Sequence, residues 1–326
     1  MTGLLTTAVG SLPKPDYLTK ARNAFASGRI DSDELGKLTR QATAECIRMQ
    51  EDVGLDILVH GEMERGDMVA YFAELLTESM AISGLVRSYG NRYYRKPIIT
   101  GELHWQGPMT VEMWRYAQSL TGKPVKGMLT GPYTMVDWSF DEHYGSRRDA
   151  VLAMARVVRR EAEELVKAGA QFVQVDEPAA STRPEEMELV SEALGIVTQG
   201  LGARTITHIC YGDFARVFHH IASLPVDQID LEMANSDYKL LGLIRQHQNG
   251  FDKELAMGVV DVHSHVLETP EQVKAGIKKG LEVLPPERLY IDPDCGLKTR
   301  TWEEAEAKLR VMVQATLEVK RELELE

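Results

Sequence analysis

The sequence predicts a closed (β/α)8 barrel, and three observations lead to that prediction. The chain has 326 residues, a length that suits one barrel of this type with insertions. Eight short runs rich in apolar residues occur along it. Longer amphipathic segments lie between many of these runs, and a regular alternation of the two favours a parallel sheet with helices outside it.

The eight apolar runs are the predicted strands. Most of them are continuously apolar rather than alternating, which is typical of parallel strands buried on both faces. They cover residues 5–9, 56–60, 126–130, 172–175, 205–209, 228–231, 256–259 and 289–291. Eight such units in about 300 residues favour a closed barrel over an open doubly wound sheet.

Helical periodicity and helix-end signals mark the segments between the strands. The predicted helices cover residues 32–53, 147–168, 184–194, 270–280 and 302–326. Asp31 is placed to cap the first helix, with Glu34 as the returning half of a capping box. Gly169 follows the second helix as a stop signal, and Thr269 precedes Pro270 as the N-cap of the fourth.

One stretch departs from the alternation. Residues 83–110 contain Tyr93, Tyr94 and Pro97 followed by a largely apolar run at 98–103. We expect this stretch to be a hairpin inserted after the second βα unit. The sequence shows no low-complexity segment and no obvious linker, so we expect a single domain over residues 1–326.

Composition and charge exclude several classes of function. The chain has 37 Lys and Arg against 49 Asp and Glu, a net charge of −12, so binding to nucleic acid or to an anionic membrane is not expected. No apolar run approaches the ~18 residues needed to cross a bilayer. The N-terminus lacks the pattern of a signal peptide, and we expect a cytoplasmic protein. Three cysteines are too few, and odd in number, for a disulfide framework.

Residues of metal-binding type follow three of the predicted strands. His208 and Cys210 end the fifth strand, and a spacing of two turns both side chains to one face of an extended chain. Glu232 follows the sixth strand and Cys295 follows the eighth. Barrels of this type carry their chemistry at the carboxyl ends of the strands. One imidazole, two thiolates and one carboxylate favour tetrahedral zinc over magnesium, calcium or manganese.

The positions of the three cysteines determine how strongly this pattern indicates a metal site. The spacing of His208 and Cys210 is weak evidence alone, because single His and Cys residues more often pack in cores. The position of Cys295 at a second strand end strengthens it, whereas Cys46 lies in a helical pattern and reads as a buried structural thiol. Two thiolate ligands donate charge to the metal, which favours activation of a thiol over activation of water.

Several segments together resemble the family of cobalamin-independent methionine synthases. They include HICYGDF at 208–214 and PDCGLKTR at 293–300, with GSLP at 10–13, HGE at 60–62, GPYTM at 131–135, QVDEP at 174–178 and DVHS at 261–264 in the same order as in the family. The resemblance spans nearly the whole chain and matches only the C-terminal catalytic barrel of the family's long form. It implies a barrel, zinc held by His208, Cys210, Glu232 and Cys295, and methyl transfer to the thiol of L-homocysteine to form L-methionine.

The resemblance also implies roles for the residues that would bind substrate. Gly10 and Ser11 would meet the amino-acid end of homocysteine, and Glu62 and Asp176 would hold its ammonium group. A pair of carboxylates suits an amino acid better than a coenzyme-type thiol, the nearest rival acceptor. Trp138 would flank the methyl donor. Without the family, these residues read as a turn, surface ion pairs and packing.

His263, at the end of the seventh strand, is implied as the proton donor to the departing amine. With His265 it forms an HxH pair, which alone suggests a metal site and leaves a zinc hydrolase on a barrel open as an alternative. Because the predicted zinc site already has four ligands, we expect one catalytic histidine and one bystander.

The prediction of the methyl donor depends on positions where this sequence departs from the family. An Arg-Cys pair that meets folate in the long form appears here as Arg92 and Tyr93, and a glutamate that contacts the pterin aligns with Thr182. The lost carboxylate is worth of the order of 1–3 kcal/mol of binding. These departures and the absent second barrel favour methylcobalamin or a corrinoid protein as the donor. His263 instead suits methyl-folate, because a folate amine needs a proton to leave.

A non-catalytic role is the third open reading. The chain would then be a zinc-binding or assembly module, or a subunit that acts only with a corrinoid carrier protein. Tyr93 and Tyr94 in the predicted hairpin would suit such a surface, because aromatic residues are common at interfaces. A packed hairpin is the ordinary alternative.

Overall fold

A computed structural model describes residues 3–87, 93–210, 212, 214–247 and 250–325. Its strands are β1 (Leu5–Thr6), β2 (Met80–Arg87), β3 (Tyr93–Ile99), β4 (Gly127–Thr130), β5 (Phe140–Asp141), β6 (Phe172–Asp176), β7 (Arg204–Ile209), β8 (Gln228–Leu231), β9 (Glu254–Gly258) and β10 (Leu289–Asp292). Its α-helices are α1 (Asp16–Ala26), α2 (Ser32–Val53), α3 (Ala70–Leu75), α4 (Val111–Ser119), α5 (Pro132–Asp137), α6 (Arg147–Ala168), α7 (Met187–Thr198), α8 (Phe214–Ile221), α9 (Leu240–Gln246), α10 (Pro270–Leu281) and α11 (Trp302–Glu322).

The chain divides into two compact units. The first unit comprises Met1–Glu64, Met113–Lys126 and Gln228–Glu326, and the second comprises Arg65–Glu112 and Gly127–Asp227. In the first unit, four parallel strands follow the order β1-β10-β9-β8. Every residue of β8 and β10 is buried, as expected for apolar strands covered on both faces.

Helix ends in the first unit follow the sequence signals closely. The side chain of Asp31 accepts a hydrogen bond from the backbone N–H of Glu34 and caps α2, as predicted. The side chain of Thr269 caps α10 in a full capping box. Thr301 and Glu304 form a second capping box at the start of α11, whose last turn ends at Glu322 rather than at residue 326.

The predicted second strand, residues 56–60, is not a regular strand, and Gln50 of α2 gives the physical reason. The side-chain amide of Gln50 donates to the carbonyl of Val59 at 2.7 Å and accepts from the Val59 N–H at 2.9 Å. A helix side chain therefore takes both backbone groups that a strand would offer its neighbour. The same segment still pairs by single contacts, with Ile57 N donating to Thr6 O and Leu58 N to Pro124 O.

In the second unit, three parallel strands follow the order β4-β6-β7. A separate sheet has the order β2-β3-β5, with β2 and β3 antiparallel. This antiparallel pair overlaps the stretch 83–110 that the sequence marks as an inserted hairpin, and β2 begins at Met80. Arg92 and the side chains of Tyr93 and Tyr94 lie outside the described part of the chain.

A buried glutamate ties the end of the insertion to α6. Glu161 is fully buried and accepts hydrogen bonds from Trp105 Nε1, from the N–H groups of Met109 and Thr110, and from the Thr110 hydroxyl. Each of these donors lies in the stretch that precedes α4. Helix α6 itself ends at Gly169 in the left-handed conformation, as predicted.

The described strands and helices confirm the α/β class, with parallel strands in both units. The closed eight-stranded barrel and the single domain remain predictions. Among the described residues, no helix combines the length and apolar character required to span a membrane.

Candidate metal and substrate site

β7 presents two of the predicted metal ligands at its carboxyl end. His208 is the last residue but one of β7, Cys210 follows its last residue, and both side chains are buried. Because side chains alternate along an extended chain, the two point to the same side. The carbonyl of His208 accepts a hydrogen bond from the N–H of Glu177 at 2.9 Å. This contact ties the end of β7 to the segment that follows β6.

Glu177 is a buried carboxylate that the sequence analysis did not single out. It accepts from the N–H of Tyr133 at 3.0 Å, from the N–H of Thr134 at 2.8 Å and from the Thr134 hydroxyl at 2.7 Å. It therefore holds the first turn of α5. A Cβ at Gly131 would lie 2.0 Å from its carboxyl carbon, so only glycine fits there. Burial raises the pKa of Glu177 to about 7.

Asp294 is a second buried carboxylate, next to the predicted ligand Cys295. It accepts from three consecutive backbone N–H groups at 2.7–2.8 Å, those of Met233, Ala234 and Asn235. Its own N–H donates to the carbonyl of Val260 at 3.0 Å. Asp294 thus joins the segments that follow β8, β9 and β10. Burial raises its pKa to about 6, and a neighbouring carboxylate adds to the shift.

Three of the four predicted metal ligands form a group of mutually close atoms. The ligand atoms of His208, Cys210 and Cys295 all lie within 4.8 Å of one another. An imidazole and two thiols are donors that zinc prefers, and hard cations such as magnesium and calcium do not. The donor set therefore fits zinc. The group does not include the fourth predicted ligand, Glu232.

Glu232 lies beside the predicted catalytic histidine. Its carboxylate is buried and accepts a hydrogen bond from the side-chain amide of Asn235 at 3.0 Å. The Nε2 atom of His263 lies 4.0 Å from the same oxygen. The structure therefore brings Glu232 and His263 together, with Asn235 as an additional neighbour that the sequence analysis did not identify.

The two histidines of the HxH pair face different partners. His265 Nδ1 lies 2.8 Å from the carboxylate of Glu304 on α11. The buried ammonium of Lys308, also on α11, donates to the Val266 carbonyl at 2.7 Å and to the Glu268 carboxylate at 2.8 Å. These contacts anchor the loop after β9 to α11. The two histidines therefore contact different carboxylates, and a role for only one of them in the site remains a prediction.

Glu62 occupies a backbone conformation that few residues adopt. Gly61 and Glu62 have φ angles of 76° and 55°, and a left-handed non-glycine residue is uncommon outside turns and functional sites. A Cβ at Gly61 would lie 2.6 Å from the sulfur of Cys46, so α2 packs directly beneath this turn. Burial raises the pKa of Cys46 to about 12, in keeping with its predicted structural role.

Ser11 lies beside this turn and beside the segment after Cys295. Ser11 forms a parallel bridge with Gly61, and its carbonyl accepts from the N–H of Leu297 at 2.8 Å. A Cβ at Gly296 would lie 2.2 Å from the Ser11 hydroxyl, so glycine is required for this close approach. Gly10, the preceding residue, is buried.

In the second unit, Asp176 and Trp138 flank the Glu177 contacts. The Asp176 carboxylate accepts from the side-chain amide of Gln174 at 2.7 Å, and its carbonyl accepts from the N–H of Gly131 at 2.8 Å. Trp138 ends α5, and 36% of its surface is exposed. The role of Trp138 beside the methyl donor remains a prediction.

Parallel strands that present an imidazole and thiols at their carboxyl ends define a class, the α/β proteins with a candidate metal site rich in thiols. The comparison with known proteins defines the family within that class. Residues 4–318 match the family described as cobalamin-independent synthase, catalytic domain, and the chain belongs to it. This confirms the resemblance seen in the motifs.

Individual relatives fall into a short and a long group. A methionine synthase of Saccharolobus solfataricus is 37% identical, over 98% of this chain and 96% of that protein. A 5-methyltetrahydropteroyltriglutamate–homocysteine methyltransferase of Streptomyces griseus is 41% identical over 98% of this chain, which spans only 42% of that protein. A solved B12-independent methionine synthase of Shewanella, in complex with selenomethionine, matches with a TM-score of 0.86 and 26% identity over 98% of this chain and 99% of that one.

The family's description overturns the corrinoid donor expected from the sequence. The family is cobalamin-independent, so methylcobalamin or a corrinoid protein is wrong as the main reading. Thr182 misled because one lost hydrogen-bond partner changes affinity by only about 1–3 kcal/mol and does not change the class of donor. Its hydroxyl donates to the carbonyl of Ala179 at 2.7 Å and belongs to a 3-10 turn.

Proposed function

We propose that this protein transfers a methyl group from a 5-methyltetrahydropteroyl donor to the thiol of L-homocysteine and forms L-methionine. The observation that carries the proposal is the close group of His208, Cys210 and Cys295 in a chain of this family. The long relative is named for this donor and this acceptor, and the short relative is named a methionine synthase. The relative with selenomethionine bound is consistent with a methionine-like product.

The metal is the first part of the proposal. His208, Cys210 and Cys295 would hold zinc, and Glu232 is proposed as the fourth ligand from the family motif. Zinc would supply a lowered thiol pKa, so that the acceptor is a thiolate at neutral pH without a separate base. The burial of His208 and Cys210 excludes water from their side of the group.

The amino-acid end of homocysteine is assigned to residues on short, constrained turns. The carboxylates of Glu62 and Asp176 are proposed to hold the ammonium group, and Gly10 and Ser11 to meet the same end of the molecule. The left-handed turn at Glu62 and the close packing of Ser11 on Gly296 support this, because preorganised groups lose little entropy when a ligand binds.

His263 is proposed as the proton donor to the leaving group. The new bond forms between the homocysteine sulfur and the methyl carbon as the bond from that carbon to the donor nitrogen breaks. The thiol has lost one proton, and the departing amine gains one, because an amine leaves poorly as an anion. The ring of His263 is partly exposed, so it can recover a proton from solvent. Trp138 is proposed to flank the flat donor.

The test is a donor assay with the purified, zinc-loaded protein. Homocysteine is supplied in excess with methyltetrahydrofolate carrying one or three glutamates, or with methylcobalamin, and methionine is measured by mass spectrometry. We expect methionine from a folate donor. A coenzyme-type thiol in place of homocysteine tests the acceptor. Formation of methionine from none of the donors, with zinc fully bound, would reject the proposal.

Cysteine variants separate the metal site from the rest of the fold. We expect Cys295→Ser to lower both zinc content and methionine formation by at least ten-fold, because a hydroxyl is a far weaker zinc ligand than a thiolate. Cys46→Ala is the matched control, since Cys46 is a buried residue of α2 and lies outside the close group. Zinc bound equally by both variants would contradict the assignment of Cys295.

A further inference from the structure

The segment after β8 contains a chain of contacts that ends on Glu232. Asp294 Oδ2 accepts from the backbone N–H of Asn235 at 2.7 Å. The side-chain amide of the same asparagine donates to Glu232 Oε2 at 3.0 Å. Because Asp294 also accepts from the two preceding N–H groups, the backbone of this turn is fixed at three points.

We infer that Asn235 is a positioning residue that holds the carboxylate of Glu232 for the metal site, and that Asp294 fixes Asn235 in place. The inference rests on the proposed function, since it takes Glu232 to serve the metal. Asn235 is an exposed residue, yet its backbone is held by a buried carboxylate. The hydrogen bond to Glu232 therefore orders little more than one side chain.

The chemistry of metal sites explains why this contact matters. A carboxylate that serves a metal is usually oriented by a hydrogen bond to its second oxygen or to the same group, and removal of that partner commonly costs 10–100-fold in metal affinity or activity. The side-chain amide of Asn235 is such a donor and lies 3.0 Å from Glu232 Oε2. His263 approaches the same oxygen at 4.0 Å, which is too far for a hydrogen bond.

Two substitutions of Asn235 separate the effect of losing its hydrogen-bond donor from the effect of losing side-chain volume. Asn235→Ala removes the amide, and Asn235→Asp keeps its shape but replaces the donor with a carboxylate next to Glu232. Ser236→Ala is the matched control, because Ser236 lies in the same turn and its hydroxyl donates to the Met233 carbonyl at 3.1 Å. The control loosens the turn without touching Glu232.

The measurement is zinc affinity at constant pH by competition with a chromogenic chelator, with kcat and KM for homocysteine as a second readout. We expect Asn235→Ala to weaken zinc binding about ten-fold and Asn235→Asp to weaken it at least as much, while Ser236→Ala binds like the wild type. Urea unfolding of the zinc-free proteins checks that stability is unchanged.

Three results would overturn the inference. If both Asn235 variants bind zinc like the wild type, Asn235 does not position Glu232, and the proposed function still stands. If Ser236→Ala weakens zinc equally, the effect belongs to the turn and not to the amide. A wild-type protein that binds no zinc would overturn this inference and the proposed function together.

Discussion

Each unit contains a buried carboxylate next to a predicted site residue, and the two carboxylates are held differently. Glu177 follows Asp176 and accepts two backbone N–H groups and one hydroxyl, that of Thr134. Asp294 precedes Cys295 and accepts three backbone N–H groups. In both cases, fixed hydrogen-bond donors replace the water that the buried carboxylate has lost, and they offset the free-energy cost of burying its charge.

A glycine packs against each carboxylate, and the two glycines differ in which atoms of the acid lie closest to them. The three atoms nearest to a Cβ at Gly131 are all side-chain atoms of Glu177, the nearest at 2.0 Å. A Cβ at Gly258 would meet Asp294 Oδ1 at 2.2 Å and also the Asp294 backbone, with Cα at 2.7 Å and N at 3.0 Å. A methyl group at position 131 would therefore meet a side chain that a substitution can remove, whereas one at position 258 would also meet backbone atoms that no substitution removes.

The largest expected effect comes from the two glycines. We expect Gly131→Ala and Gly258→Ala each to cost about 3 kcal/mol or more in the free energy of unfolding, because each new methyl group overlaps atoms that cannot all move away. Urea unfolding of zinc-free protein measures both costs. An effect below about 1 kcal/mol at either position would mean that the close packing relaxes easily.

Double variants test the difference between the two sites. Glu177→Ala removes the three atoms that lie nearest to the new methyl group at Gly131, so the pair should be coupled by about 2 kcal/mol or more. Asp294→Ala leaves the Cα and N of Asp294 near Gly258, so this pair should be coupled less. Equal coupling energies would break the distinction between a side-chain and a backbone contact.

A smaller effect is expected at Thr134. Thr134→Val keeps the shape of the side chain but removes the hydroxyl that donates to Glu177 at 2.7 Å. At pH 8, above the raised pKa of Glu177, we expect a loss of about 1.5–3 kcal/mol because the acceptor is charged. Thr207→Val is the matched control: this equally buried hydroxyl donates to the neutral Val175 carbonyl at 2.8 Å. Its loss should cost only about 0.5–1.5 kcal/mol. Equal costs would indicate that Glu177 is not ionised.

The sequence predicts most of the parallel strands because their apolar runs are continuous, as in β6 and β10. The prediction of a regular strand at residues 56–60 is wrong, and the reason cannot be seen in the periodicity of the sequence. The backbone of Val59 is satisfied by Gln50, nine residues away in a helix. A glutamine in an amphipathic pattern reads as a polar surface residue, so nothing local indicates that it replaces a neighbouring strand.

The candidate site likewise contains residues that the sequence pattern predicts and residues that it does not. His208, Cys210 and Cys295 could be placed from the sequence because strand ends and a spacing of two fix where side chains point. Glu177 and Asp294 could not, because each stands next to another candidate residue and reads as a solvated acid. Their burial depends on glycines, Gly131 and Gly258, that lie more than 30 residues away in the chain. An acid directly after a buried strand is the one local signal that would have indicated Glu177.

The smallest expected effect is a difference in pH dependence. Burial raises the pKa of Glu177 from 4.5 to about 7 and that of Asp294 from 3.8 to about 6. In each case the folded protein binds the proton more tightly than the unfolded chain does. The stability from the raised pKa is therefore fully present below the unfolded value and is lost as the pH rises through the folded value. The pH range over which this stability is lost therefore extends about one pH unit higher for Glu177 than for Asp294.

Comparison with variants that do not titrate isolates each group. The difference in unfolding free energy between the wild type and Glu177→Gln should continue to shrink between pH 6 and pH 7, whereas the difference between the wild type and Asp294→Asn should change little in that interval. Urea unfolding at pH 5, 6, 7 and 8 with a metal chelator measures both, because metal binding has its own pH dependence. A change between pH 6 and pH 7 that is the same for both variants would show that the backbone N–H groups around Asp294 and the mixed donors around Glu177 are electrostatically equivalent.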